Sequence, residues 1–424
     1  MRVGVRALDG GAAVPQVLRR LAARARRLGL PPPAALTGDW FGGGAVLAPS
    51  VDLRPVPARA ALATFGAGPR VSGPGCAVGG GWFGYLGYGL ADPLPRHRRL
   101  PPAAGGWADH VLRRDSAGTW WYEELVPAAG RADELAALVA SGPDDPPHRP
   151  WRPAAVQSPD AAAYCTAVRR AVAEISAGEI YQVNVCTRFC TRLRADPTEL
   201  FAAGVARLRP ARAALLSGSW GAVASLSPEL FLARHGRGVR TAPIKGTLPR
   251  RGPADDGNAG RLRASAKDVA ENVMIVDMAR NDLGRVCETG SVAVPQLLDV
   301  QPHPGVWHLV STVTGRLPPG VDDAALLAAT FPPASVTGTP KHRALQVIAE
   351  LETVPREVYC GAVGLASPVA GTELSVAIRT YELYRGQLWF GVGGGITADS
   401  DPDAEWAECE TKAAPLLDLL RFPG

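Results

Sequence analysis

Apolar residues along the chain follow two different periods. Between Ala161 and Ala177 they return every third or fourth position, which predicts a helix with one buried side. In "IYQVNVCTRF" just after it, Tyr181, Val183, Val185 and Phe189 fall on alternate positions, the signature of a strand with one apolar face. Helical spacing returns from about Ala266 to Ala279, with Val269, Val273 and Val276 on one stripe. A last helix, introduced by Asp401 and Pro402, starts near Asp403 and runs to about Leu420. Near the start, Val17 to Leu30 reads as an arginine-rich amphipathic surface helix. Helices and hairpin-like strands alternate without a regular βαβ rhythm, so the pattern predicts an α+β fold built on antiparallel sheets.

Composition divides this picture in two. The stretch 141–160, "SGPDDPPHRPWRPAAVQSPD", is dense in proline and polar residues and reads as a linker or long surface loop. Residues 1–150 form one expected region and 151–424 a second. The first contains no Lys, Asn or Ile, whereas all 4 Lys, 4 Asn and 7 Ile lie beyond residue 174. The chain uses 41 arginines (45 Lys+Arg less 4 Lys), so each lysine stands where arginine was the habitual choice. The formal charge of +5 comes without a lysine block or interleaved aromatics, which argues against a nucleic-acid groove and suits a small anionic ligand. No apolar run reaches membrane-spanning length. The arginine-rich start resembles a transit peptide in composition but lacks the apolar core of a secretory signal. Seven cysteines, an odd number without a C-x-x-C pair, point to a reducing cytoplasm.

Several side chains could carry chemistry. Glu405, Glu408 and Lys412 share one face of the last helix, either as a solvated face or as part of a site. Glu271 is a carboxylate on a largely apolar helix, with Asp268 one turn before it. Two helices offering carboxylates supply the hard oxygens that Mg²⁺ takes, if the helices meet. Glu229, in "LSPELF", is either a helix first-turn residue or a carboxyl of raised pKa fit for general-acid work. His308 lies in an apolar strand, and Arg379 in "VAIRTYEL" is placed on a strand, suited to a bidentate carboxylate. "FPPASVTGTPKHRA" sets a turn through Thr337 before a helix near Pro340. "GCAVGG" and "GVGGGI" lack the strand–loop–helix setting of a dinucleotide fingerprint, and Cys76 has no evident glutaminase His–Glu partners.

In order along the chain, "GEIYQVNV", "SPELF", "PIKGTLPR", "ENVMIVDMARNDLGRV", "WHLVST", "SVTGTPK", "GAVGL", "AIRT" and "GGGITADSDPDAEWAECETK" resemble the chorismate-using synthases. The resemblance covers almost all of residues 161–415, with a weaker echo at "GGGWFGYLGYGL". It implies a sandwich of two large antiparallel sheets with helices outside, the first region intertwined with the second. It further implies that Glu271 and Glu408, with Glu405 close by, hold Mg²⁺ against the ring carboxylate of chorismate. Arg379, Lys412 and backbone amides at Gly393, Gly394 and Gly395 would bind carboxylates. Tyr359 would hold the enolpyruvyl side, and Thr247, His308 and Thr337 would line the ring. Glu229 would be the acid that protonates the departing C4 hydroxyl.

Two positions separate the branches of that family. Water-adding members place a lysine base where this chain has Gln182, and an amide cannot activate water. Anthranilate synthases generally read P-I-A-G-T where this chain reads P-I-K-G-T, as aminodeoxychorismate synthases do. Lys245 is then expected to act as a nucleophile, a role closed to arginine. The implied reaction is amination of chorismate by ammonia, with a separate glutamine amidotransferase subunit supplying the nitrogen. Anthranilate formation is the alternative, and a catalytically silent binding subunit is an alternative of another class.

Overall fold

The computed structural model describes residues 2–66, 71–140, 151–152, 155–250 and 252–421. Much of the proline-rich stretch, residues 141–150 and 153–154, lies outside the described residues. Two antiparallel sheets form the body. The first has eleven strands in the order Gly4–Leu8, Trp120–Glu124, His110–Arg114, Gly44–Ala48, Ala34–Gly38, Arg212–Gly218, Gly221–Ser227, Thr380–Tyr384, Gln387–Ile396, Gln182–Arg192 and Gly338–Thr339. The second runs Ile244–Arg250, Gly305–Arg316, Gly238–Ala242, Leu230–His235, Gly371–Val376, Ala362–Ser367, Gly81–Leu86, Ala103–Ala108 and Arg54–Pro55, with Ala293–His303 also paired to Gly305–Arg316. Each sheet mixes strands from both sides of residue 150. Ala34–Gly38 pairs with Arg212–Gly218, and Gly81–Leu86 pairs with Ala362–Ser367.

Alternation along the strands explains the layering. Ala214 and Leu216 point into a core shared with Phe83, Tyr85, Val363 and Leu365 of the other sheet. Their neighbours Ala213 and Leu215 point the opposite way, into the core that also takes Leu18 and Leu21 of the helix Val14–Leu28. Each leucine so buried contributes roughly 1.5–3 kcal/mol. The expected α+β sandwich with outer helices is the fold observed.

Some local expectations need correcting. Tyr181 precedes the strand Gln182–Arg192 and is 70% exposed, so it does not share the apolar face with Val183 and Val185. On the helix Ala266–Gly284, Val273 is exposed; the buried side carries Glu271, Asn272, Ile275, Val276, Met278 and Ala279. Arg379 is not on a strand. It occupies the bend between Gly371–Val376 and Thr380–Tyr384, with φ of 49°.

Candidate active site

The chain passes from one sheet to the other at two neighbouring crossovers, and each delivers a charged side chain. Glu229 follows Gly221–Ser227 of the first sheet and precedes Leu230–His235 of the second. Arg379 lies on the return passage. The two crossovers are stitched together: Val376 N–H donates to Glu229 O at 3.1 Å and Leu226 N–H to Arg379 O at 3.0 Å. Glu229 is 4% exposed, so it is no first-turn helix residue on the surface. Burial pushes its pKa up to about 7, with Ser335 and Lys245 opposing. Arg379, half-buried, has its pKa lowered by burial, with Glu229 opposing.

Lys245 reaches the same region from the second sheet, on the strand Ile244–Arg250, with Nζ 3.5 Å from Glu271 Oε2. Its neighbour Gly246 explains part of the motif. At φ of 82°, with Leu262 Cδ1 2.8 Å and the Asp268 carboxyl 3.0 Å from where a Cβ would stand, any larger residue there would be strained. The helix bearing Glu271 is pinned through Asn272, which donates to Leu309 O at 3.1 Å and accepts from Ser311 Oγ at 2.5 Å.

Opposite them runs the glycine stretch of Gln387–Ile396. Gly393, Gly394 and Gly395 pair with Cys186, Val185 and Asn184. On their other edge the ladder to Thr380–Tyr384 has ended at Phe390, which leaves backbone groups there outside the sheet pairing. At Gly395 the requirement is space. A Cβ there would meet Gln182 Nε2 at 2.6 Å, Lys245 Nζ at 2.8 Å and Glu271 Oε2 at 3.3 Å. Three polar groups thus converge on one bare backbone position. The Gln182 carbonyl oxygen is buried without a hydrogen-bond partner, a polar group free for a ligand.

The helix Pro402–Arg421 supplies the acid face. Glu405 is buried and Glu408 partly exposed, and both meet the ammonium of Lys267, Glu405 at 2.9 Å and Glu408 at 3.8 Å. Glu271 stands 4.0 Å from the same nitrogen. Lys412 is tied to Glu408 at 2.7 Å and donates to Gly393 O at 2.8 Å. Burial raises the Glu271 pKa, against Lys245 and Lys267. For Glu408 burial acts the same way, but Lys412, Lys267 and Lys245 together outweigh it and the pKa is lowered. Among the described residues no closed cage of three metal-ligating side chains exists, because the three carboxylates surround the Lys267 nitrogen. Even so, the donor set suits Mg²⁺. All three are hard oxygen ligands, and Glu405 Oε2 is buried without a hydrogen-bond partner.

The remaining predicted residues take varied places. His308 pairs across strands with Thr247, whose Oγ1 lies 2.9 Å from its Nδ1. Burial drives the His308 pKa down to about 3, helped by Arg379 and His303, so the ring is neutral at pH 7. Thr337 spends its hydroxyl on Pro333 O and Ala334 O, while its carbonyl accepts from Asn184 N–H at 2.6 Å. Tyr359 is buried with its ring over Gly391, two residues before the glycine stretch reaches Gly393.

Three contributors escaped the sequence reading. Lys267 carried one signal, its position one turn before Glu271. The others are Glu352 and Arg356, a buried pair at 2.7 Å. Arg356 donates to Val336 O and Asn184 O, both at 2.7 Å, and Glu352 accepts from Cys186 N–H at 2.8 Å. This pair fastens the turn before Thr337 to the strand that carries Gln182. Of the chain's four lysines, 245, 267 and 412 stand in the site and Lys341 is half-buried and paired with Asp282.

Sandwich and site together define the chorismate binding enzymes. The chain matches that family over residues 53–418 and belongs to it. Over 254 residues it is 44% identical to aminodeoxychorismate synthase component 1 of Klebsiella aerogenes, covering 59% of this chain and 56% of that one. It therefore spans little more than half the length of that relative. Over 376 residues it is 37% identical to anthranilate synthase component 1 of Streptomyces coelicolor, covering 81% and 73%. The crystal structure of anthranilate synthase component I from Streptococcus pneumoniae has a TM-score of 0.75 at 23% identity, covering 98% of this chain and 92% of that one. That likeness speaks for the fold. No helix among the described residues is long and apolar enough to cross a membrane.

Proposed function

We propose that the chain aminates chorismate with ammonia to give 4-amino-4-deoxychorismate, on the branch leading to p-aminobenzoate and folate. The observation that carries this reading is the meeting of Lys245, Gln182 and Glu271 over Gly395, with the buried acid Glu229 near Lys245. The 44% identity to an aminodeoxychorismate synthase component 1 supports it.

Each role follows from the chemistry of its group. Glu271 and Glu408, with Glu405 beside them, would hold Mg²⁺, which neutralises and orients the ring carboxylate. Arg379, Lys412 and the Gly393–Gly395 backbone fix the carboxylates; Thr247, His308 and Thr337 line the ring, and Tyr359 helps hold the enolpyruvyl side. The Lys245 nitrogen attacks C2 while Glu229 protonates the C4 hydroxyl, a poor leaving group until then. Ammonia then adds at C4 and expels the lysine, so nitrogen ends para to the ring carboxylate. Gln182 has no titratable proton, so water attack is not promoted. A glutamine amidotransferase subunit supplies the ammonia in the cytoplasm.

A second reading, attack of ammonia at C2 leading to anthranilate, is favoured by the Streptomyces coelicolor relative. A silent binding subunit is disfavoured by the full set of Glu229, Lys245, Glu271, Glu408 and Lys412. Incubation with chorismate, Mg²⁺ and ammonium, followed by chromatographic and mass identification of the product, separates all three. 4-Amino-4-deoxychorismate supports the proposal; anthranilate or unchanged chorismate refutes it.

A further inference from the structure

Behind Glu229, a small cavity of about 20 Å³ lies between the second sheet and the helix Ala266–Gly284. It is large enough for one water, which needs roughly 10–15 Å³ and two to four polar partners. Its wall supplies them. Glu229 and Asp282 both line it, with Ser335, Thr330 and Thr241, and the rest of the wall is uncharged. The buried Ser335 hydroxyl lies against the Glu229 carboxyl, and the Thr330 hydroxyl donates to Leu326 O at 2.8 Å, so both oxygens keep lone pairs for a water. A cavity lined by such hydroxyls is where ordered water belongs.

Asp282 is held from two directions. Lys341 Nζ donates to its Oδ2 at 2.5 Å and is itself fixed on Thr330 O at 3.1 Å and Pro332 O at 3.0 Å. Arg285, largely exposed, donates to Oδ1 at 3.0 Å. The carboxylate therefore links the cavity on one side to a solvent-facing guanidinium on the other. The charged groups facing it are Lys341 and Arg285; those facing Glu229 are Lys245 and Arg379. Nothing in the chemistry assigned to Lys245, Glu229 and the acid face uses this arrangement.

We infer that Asp282 reloads Glu229 with a proton between turnovers, through one water held in this cavity. The inference rests on Glu229 being the general acid. In each turnover the Glu229 O–H bond breaks, its proton joins the C4 hydroxyl, and the C4–O bond breaks to release water. Asp282, a carboxylate between Lys341 and Arg285, takes a proton from solvent beside Arg285 and passes it to the cavity water as that water gives one to the Glu229 carboxylate, which leaves Asp282 a carboxylate again. The ammonium formed at C4 gives one proton back to solvent, so none is consumed overall. Asp282 never touches substrate; it is a positioning and relay residue.

Comparing the first turnover with later ones tests this. Assayed at about pH 6, below its pKa of about 7, Glu229 enters the first turnover protonated, so Asp282→Asn should leave the single-turnover rate, with enzyme in excess over chorismate, within about twofold of wild type. Steady-state turnover should fall ~10-fold or more, a modest share of what general-acid catalysis supplies. Rapid quench should then show a burst of one product equivalent per enzyme that wild type lacks, and the solvent deuterium effect on kcat should rise. Asp282→Asn/Lys341→Gln, which leaves no lone buried charge, carries the same expectation if the single variant folds poorly. Equal loss in the first and later turnovers, or no loss in either, overturns the relay. Glu229→Gln controls for the premise: a wild-type single-turnover rate in that variant would remove Glu229 as the acid, a failure distinct from that of Asp282.

Discussion

Gly395→Ala is the sharpest test of where the reaction centre lies. The added methyl would stand 2.6 Å from Gln182 Nε2 and 2.8 Å from Lys245 Nζ. Non-bonded heavy atoms prefer about 3.5 Å or more, so both side-chain ends must withdraw by roughly 0.7–0.9 Å. Gly395 does not have a left-handed backbone, and the crowded atoms are the far ends of flexible chains, so the fold can absorb the change. Alanine in a strand is favoured over glycine by about 0.5–1 kcal/mol, which offsets part of the crowding. A displacement of about 0.7 Å at Lys245, the proposed nucleophile, by contrast, approaches the misplacement that costs ~10²-fold in rate, or about 2.7 kcal/mol of transition-state stabilisation. The assay is chorismate consumption with saturating ammonium and Mg²⁺, alongside a thermal melt. Gly260→Ala, where an added Cβ meets nothing within 4 Å, is the control. If Gly395→Ala kept kcat/KM within about twofold of wild type while melting normally, the space over Gly395 would not be the reaction centre.

Four further outcomes follow from the same geometry. Lys245→Arg should abolish turnover and Lys245→Ala lose ~10²-fold or more, while denatured mass spectrometry of wild type with chorismate and no ammonia should show an adduct on Lys245; full activity in the arginine variant refutes the nucleophile. Glu229, with a pKa of about 7 against 4.5 for an ordinary Glu, contributes stability that is present below about pH 4.5 and lost as pH rises through about 7. Glu229→Gln should therefore melt near wild type at pH 5 but higher at pH 8, by up to about 3 kcal/mol, while losing activity; an equal or lower melt at pH 8 contradicts the buried neutral acid. Glu271→Gln and Glu408→Gln should each weaken Mg²⁺ binding in the presence of chorismate, and titrations matching wild type would remove them as ligands. The pure chain should use ammonium but hardly glutamine; robust glutamine-dependent turnover would dispose of a separate amidotransferase.

Much of this is legible in the sequence, and the limits have physical causes. The helices at 161–177 and 403–420 showed because their period and caps are local properties; Asp160 caps the first by accepting from Ala162 and Ala163 N–H. Glu271, Glu405 and Glu408 could be named from helical spacing and family resemblance, but their meeting around one nitrogen is a tertiary fact that spacing cannot supply. Arg379 was misplaced because apolar residues continue through the crossover, so period alone does not reveal the bend at φ of 49°. Glu352 and Arg356 stand four apart, a spacing that usually marks a modest surface pair, and nothing local announces that backbone from two distant segments closes over them. Asp282 belongs to a quoted motif, yet the cavity it lines is made by residues from 229 to 376.

The mixing of strands from either side of residue 150 also limits how this protein can be cut. A fragment beginning at residue 151 would bare the flank of Arg212–Gly218 left by Ala34–Gly38 and the flank of Ala362–Ser367 left by Gly81–Leu86. Unpaired N–H and C=O rows of that kind recruit other chains. A fragment ending at residue 150 would keep both missing strands without the neighbours that shape them. Truncation to the motif-bearing portion should thus give aggregate rather than a smaller catalyst. Co-expression of the two pieces is the form in which a divided version should stay soluble, each serving as the other's folding template.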